Sequence, residues 1–285
     1  MATVRPIEGV FLAWGETARW DDRRHRLYCV DCATHVLGWL EEGVPPFVTM
    51  AMPSMPTGMA LTEDGRLVVA LEDGLHVVDV DRRSVEFLVA YPEDLGGRAN
   101  DLNADRSGNL VTGTLNLADG RGSYWWYSAK EGWRQLDDDI GNANGPVVLD
   151  LDGRTTLVFG DTRADRLYAY DYDGRLGRVG PRRTFADTSR AGGSPDGACA
   201  DDSGGVWSCI LGSGRVVRYT TQGQSDFVDV GVELPSDVTF GGPALATLFV
   251  TSIAASPDPS RTRGGQLVAV EDSGFRGVPE PRFSL

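Results

Sequence analysis

The chain has 285 residues with 36 glycines and 15 prolines, about 18% of its length against roughly 12% in average proteins. Helical folds exclude such a load, whereas all-β folds use it to reverse direction. A formal charge of −14 and a sequence pI near 4.6 exclude nucleic acid and anionic lipid as partners, and leave carboxylates for a divalent cation.

From the N-terminus, residues 1–14 carry one arginine and a short apolar stretch over 9–14. That is far below a signal core or a membrane span, and it points to a cytoplasmic protein with no membrane partner. The first polar turn, Arg24-His25-Arg26, runs into the apolar Leu27-Tyr28-Cys29-Val30. Cys29 and Cys32 are three apart, so on a strand they face opposite ways, and Cys199 and Cys209 lack zinc-ribbon spacing. All four are expected as buried core thiols. Further turns lead into strands at Asp64-Gly65-Arg66-Leu67-Val68, Ser107-Gly108-Asn109-Leu110-Val111 and Asp152-Gly153-Arg154-Thr155-Thr156-Leu157. Two more follow, at Ser203-Gly204-Gly205-Val206-Trp207 and from Gly241-Gly242-Pro243 on to Thr247-Leu248-Phe249. Most are succeeded by another strand rich in β-branched and aromatic residues, such as Ser123-Tyr124-Trp125-Trp126-Tyr127 or Arg215-Val216-Val217-Arg218-Tyr219. The lone lysine, Lys130, lies in the polar turn Ser128-Ala129-Lys130-Glu131-Gly132, which excludes a phosphate loop and a Schiff-base lysine. His25 is expected in a turn and His35 and His76 in strands, all outside any site. With no G-x-S-x-G elbow, a Ser-His-Asp hydrolase is disfavoured. Asp150-Leu151-Asp152-Gly153 misplaces the glycine of a calcium loop and is read as a hairpin turn.

The six turn-to-strand units repeat. Their apolar anchors, Leu27, Leu67, Leu110, Leu157, Val206 and Leu248, are separated by 40, 43, 47, 49 and 42 residues. That is the length of a four-stranded blade, so the fold expected is an all-β, six-bladed β-propeller forming one closed domain over 1–285. A solenoid would want distinct capping repeats. Ten to 13 residues before each anchor, in the preceding strand, stands a polar residue: Glu16, Thr57, Asn100, Asn144, Asp196 and Asp237. Equivalent positions of the blades form a ring around the axis, so six oxygen-bearing side chains are expected at one mouth of the channel. Carboxylates and amides without His or Cys are hard ligands suited to Ca²⁺, Mg²⁺ or Mn²⁺. The plainer reading is a polar lining of a solvated channel.

At these positions the chain resembles a known family. Gly15-Glu16, Arg98-Ala99-Asn100-Asp101, Asn144-Gly145, Asp161, Pro195-Asp196-Gly197, Gly214-Arg215-Val216-Val217-Arg218 and Phe240-Gly241-Gly242 look like successive signatures of the senescence-marker-protein/gluconolactonase/luciferin-regenerating-enzyme-like family, which includes regucalcin. The resemblance implies a six-bladed propeller with one divalent ion at the channel mouth, held by Glu16, Asn144 and Asp196. Calcium stands ahead of Zn²⁺, Mn²⁺, Mg²⁺ and Fe²⁺. It implies Asn100 at the metal or its waters and Arg98 on the substrate, both of them substrate-binding residues that orient its oxygens, and hydrolysis of a sugar lactone or related carboxylic ester. In that reaction the ion polarises the carbonyl and Asp196 activates water. The partner implied is a small-molecule lactone or ester, with the protein a monomer or small homo-oligomer.

Three departures accompany the match. Gly15-Glu16-Thr17-Ala18 stands where the family usually has Gly-Glu-Gly-Pro. The stretch from Asn144 to the Asp152-Gly153 turn is longer by a residue, which leaves Asn142 a rival to Asn144. Residues 114–118 read Thr-Leu-Asn-Leu-Ala where some sugar lactonases place an acidic substrate contact. Asp101 and Asp237 add negative charge that favours a neutral substrate or a second cation. Two other functions share these residues: a different enzyme on the same site (an aryl-ester or organophosphate hydrolase, a lyase or a dehydratase), and a non-enzymatic calcium-binding propeller.

Overall fold

A computed structural model describes residues 2–116, 118 and 120–285. Its strands form six sheets, arranged as the blades of a β-propeller. Among the described residues the helical elements are three short 3₁₀ turns. The innermost strands of blades I to VI are, in order, Gly15–Asp21, Gly58–Thr62, Arg98–Ala104, Ala143–Leu151, Ser194–Ala200 and Pro235–Gly241. All six anchors lie in the second strand of their blades, each at most 1% exposed.

The apolar side chains divide by interface. Tyr28, Leu37, Met59 and Leu67 pack blade I on II, and Ala60, Leu75, Leu102 and Leu110 pack II on III. Equivalent groups follow round the ring to Trp20, Leu27, Phe249 and Ala269, between VI and I. A sheet has two faces and each must be covered, so a ring of blades leaves neither bare. Each fully buried leucine contributes about 2 kcal/mol relative to exposure.

Aspartates hold many of the turns. Asp21, Asp105 and Asp201 each accept backbone N–H bonds from the turn that follows, at 2.8–3.1 Å. Part of the acidic excess is thus turn-forming and unrelated to a ligand. Blade IV carries an additional short strand, Arg178–Val179, which pairs with Arg166–Asp173 beside Arg183–Asp187. It falls in the longest of the anchor intervals.

Both ends of the chain are built into the ring. Thr3–Pro6 supplies the outer strand of blade VI, pairing antiparallel with Val268–Glu271. Arg282–Phe283 pairs parallel with the far end of Gly58–Thr62, within the channel opposite the mouth. There Arg282 donates to Asp21 and Asp22, both at 2.7 Å, and Phe283 is fully buried.

The four cysteines are buried and free. His25 lies in a turn and His76 in the strand Gly74–Asp79. His35 corrects the sequence reading: it sits in the hairpin turn between Arg26–Asp31 and Val36–Glu41, with φ at +55°. That turn has no glycine, and the histidine takes the left-handed position itself. No helix among the described residues is long and apolar enough to cross a membrane.

Candidate functional site

Five of the six ring residues, all but Thr57, share a local cause. In blades I, III, IV, V and VI the pairing of the innermost with the second strand shifts register at the mouth. The shifts fall at Glu16/Arg19, Asn100/Leu102, Asn144/Val147, Pro195/Ala198 and Pro235/Val238. A bulge re-aims the side chain it carries, and here it turns a polar group at each strand's start toward the axis. Thr17, Asp101 and Gly145, each just after a ring residue, have φ of +50°, +41° and +52°. Thr17 is costly there, being β-branched, and its buried hydroxyl has no partner. Gly145 also permits contact between blades, since a Cβ would stand 2.8 Å from the Ala198 nitrogen. At Gly197 a Cβ would stand 2.2 Å from Asp237 Oδ1, so only glycine fits beside Asp196.

Asn100 and Asn144 touch directly. Asn100 Nδ2 donates to Asn144 Oδ1, and also to the Ala143 carbonyl at 3.1 Å. Asn144 Nδ2 donates to Thr162 Oγ1 at 2.6 Å, and that hydroxyl donates to the Pro195 carbonyl at 2.8 Å. The Thr162 hydroxyl has one proton, so it accepts from Asn144 and fixes which end of the amide faces inward. Asn144 thereby presents oxygen toward Asn100. Asn142 differs: its backbone N–H binds Asp161 and its carbonyl accepts from Thr162, while its side-chain oxygen is buried without a partner. Asp161 accepts four backbone N–H bonds, from Gly141, Asn142, Arg163 and Ala164, and so shapes the loop.

Four carboxylates crowd the mouth. Burial raises Glu16 well above the ordinary range, with Asp196, Asp101 and Asp237 adding repulsion and the Trp14 bond opposing it. Burial likewise raises Asp196, again reinforced by Asp101 and Asp237. Asp101 is raised by burial, against its bond from the Gly145 N–H (2.6 Å) and the pull of Arg19 and Arg98. Asp237 is pushed up to about 7 by burial, with Arg19 opposing and Asp101 adding to it.

One buried cation lies beneath them. Arg19, 2% exposed, donates to Asp237 Oδ2 at 3.0 Å, to the Ala18 carbonyl at 2.7 Å and to the Leu102 carbonyl at 3.1 Å. It joins blades I, III and VI across the channel. The sequence reading passed over Arg19 and Thr162. The signal for Arg19 was there, a charge inside the apolar run Ala18-Arg19-Trp20.

The donor set suits a hard cation. Glu16 and Asp196 supply carboxylates, Asn144 an oriented amide oxygen, and the half-buried Asn100 a further one. Thr57 lies just before the blade II strand, and its buried hydroxyl lacks a partner. Asp237 is engaged with Arg19. Among the described residues, no three or more His, Cys, Asp or Glu side chains are grouped to hold a metal, so such an ion needs the amides as well. Within 114–118, Thr114 turns into blade III and binds Ser123, and Leu117 lies outside the described residues.

The crowding has a pH signature. A carboxyl raised from about 4 keeps its proton in the folded chain after the unfolded chain has released it. Without a cation, stability is therefore greatest near pH 4 and falls as pH rises toward 7. Thermal melts at pH 5 and pH 7.5, each with chelator or Ca²⁺, check this. The expected result is a larger Ca²⁺ shift at pH 7.5; equal shifts would remove the carboxylates from the account.

Residues 14–254 match the family described as the SMP-30/Gluconolactonase/LRE-like region. A pentonolactonase of Haloferax volcanii is 30% identical over 93% of this chain and 90% of its own. A 6-deoxy-6-sulfogluconolactonase of Pseudomonas putida is 32% identical over 84% and 82%. Among solved structures, a luciferin-regenerating enzyme superposes with TM-score 0.90 at 24% identity, covering 100% of both chains, and so shares the fold. Regucalcin from Agrobacterium tumefaciens, described as a calcium-binding protein, superposes with TM-score 0.88 at 26% identity over 99% and 98%. Sequence match and blade geometry agree along most of the length, and the chain belongs to the SMP-30/gluconolactonase/LRE-like family.

Proposed function

We propose that the protein is a divalent-metal-dependent lactonase that opens a sugar lactone at the channel mouth. One observation carries the reading. Glu16, Asn144 and Asp196 stand at the starts of three inner strands, with Glu16 and Asp196 near enough to repel each other, in a family whose relatives include named sugar lactonases, and this supports reading them as one donor set. We assign the ion to these three residues, with Ca²⁺ preferred for its tolerance of mixed carboxylate and amide oxygens. Such an ion, when bound, supplies Lewis-acid polarisation of a carbonyl oxygen and stabilisation of developing negative charge.

The chain's own residues do the rest. Asp196 has two carboxylate oxygens, so one can serve as ligand while the other accepts a proton from water. Arg98, half-buried at the rim, orients a substrate oxygen by its fixed fork of donors. Asn100 spends its amide protons on Ala143 and Asn144, and its oxygen remains to accept from a substrate hydroxyl.

A panel of aldonolactones, assayed with chelator and with Ca²⁺, Mn²⁺, Zn²⁺ or Fe²⁺ restored, tests the reading. Hydrolysis should vanish with chelator and return with metal. Undiminished turnover in chelator would overturn it.

A further inference from the structure

Trp14 stands immediately before the first strand of blade I and touches both halves of the site. Its backbone is clamped: the N–H donates to Asp31 Oδ1 at 3.0 Å, the carbonyl accepts from Cys32 at 2.9 Å, and a β-bridge joins it to Ile253. The half-buried side chain packs against the core between blades I and II. From that fixed base the indole N–H donates to Glu16 Oε1 at 3.1 Å. The Arg98 guanidinium lies over the same ring, 5.9 Å from its centroid.

We propose that Trp14 is a positioning residue that sets the Glu16 carboxylate for the ion and the Arg98 guanidinium for the substrate. The inference rests on the lactonase reading for its substrate half alone. An indole N–H is a donor only, so it engages one oxygen of Glu16 and leaves the other without a bond from the indole. A carboxylate so held loses less rotamer freedom when it takes up a cation. The ring face attracts a guanidinium and limits where Arg98 rests. Phenylalanine keeps the face and lacks the N–H; leucine lacks both. The two functions are therefore separable by substitution.

The probe is Ca²⁺ alone, titrated calorimetrically into the full-length protein. Trp14→Phe should bind Ca²⁺ about tenfold more weakly, the scale of a lost hydrogen bond to a charged group. In a Glu16→Gln background the same substitution should change Ca²⁺ affinity by less than about twofold, because the coupled charge is gone. A tenfold loss persisting in that background would show a general packing role and overturn the proposal, as would wild-type affinity in Trp14→Phe. For the substrate half, Trp14→Leu at saturating Ca²⁺ should raise the lactone KM about three- to tenfold beyond Trp14→Phe, with kcat within about twofold. A KM equal to that of Trp14→Phe overturns this half. If the wild type binds Ca²⁺ but hydrolyses no lactone, the lactonase reading fails while calorimetry still decides the role at Glu16.

Discussion

Replacing Asp196 with asparagine should lower lactone turnover about a thousandfold at saturating Ca²⁺, the scale of a lost general base. Asparagine keeps the shape and one oxygen but cannot take a proton from water. The neighbouring carboxylates are poor substitutes: Asp237 is bound to Arg19, Asp101 accepts the Gly145 N–H, and Glu16 accepts from Trp14. The same substitution should raise the melting temperature of the metal-free protein, because it removes one of four crowded charges. For a chain of this size each kcal/mol relieved is worth about 2–4 °C. A dead variant that melts higher separates chemistry from folding. Turnover within tenfold of wild type would remove Asp196 as the base.

Replacing Arg19 with methionine should destabilise the protein by about 3–5 kcal/mol, the cost of leaving one partner of a buried ion pair uncompensated. Asp237 is pushed up to about 7 even with Arg19 beside it, so without the guanidinium this 1%-exposed carboxyl must hold a proton to stay buried. The loss is compounded because Arg19 also caps the Leu102 carbonyl of blade III across the channel. A fall in melting temperature of about 10 °C is expected at neutral pH. Adding Asp237→Asn should recover part of it, since an amide is neutral there without taking up a proton, while the bonds to Ala18 and Leu102 stay lost. Urea denaturation of both variants decides the matter. A double variant as unstable as the single one would place the cost in lost packing instead.

Much of the fold could be read from spacing. The anchors are all leucine or valine behind a polar turn, and such a pattern survives because every blade must bury the same strand between two neighbours. The ring was legible for the same reason, as polar residues stand out in otherwise apolar inner strands. Their convergence now has a structural cause in the bulges, which leave no mark in the sequence beyond an occasional glycine. Thr17 and Asp101 take up left-handed backbone without one. Thr3–Pro6 was not legible as a strand, being four residues long with a proline and paired with residues near the other end. Arg282–Phe283 escaped likewise, because a two-residue parallel pairing has no local periodicity. Arg19, Trp14 and Thr162 were missed because their roles lie in which atoms they face. His35 was misplaced because its turn lacks the usual glycine signal.

The outer strand of blade VI has a consequence for how the molecule is made. Blades I, III, IV and V are each contiguous in sequence and can pair as they leave the ribosome, and blade II lacks only its pairing with Arg282–Phe283. Blade VI cannot, since Thr3 faces Glu271 and waits for it. The strand that precedes all others of the ring in sequence is thus placed among the last, by the pairing of greatest sequence separation and slowest search. Until it docks, blade VI has a bare edge open to strands of other nascent chains. The hazard is brief if Thr3–Pro6 remains free during synthesis, and prolonged by any bulky fusion placed directly before it.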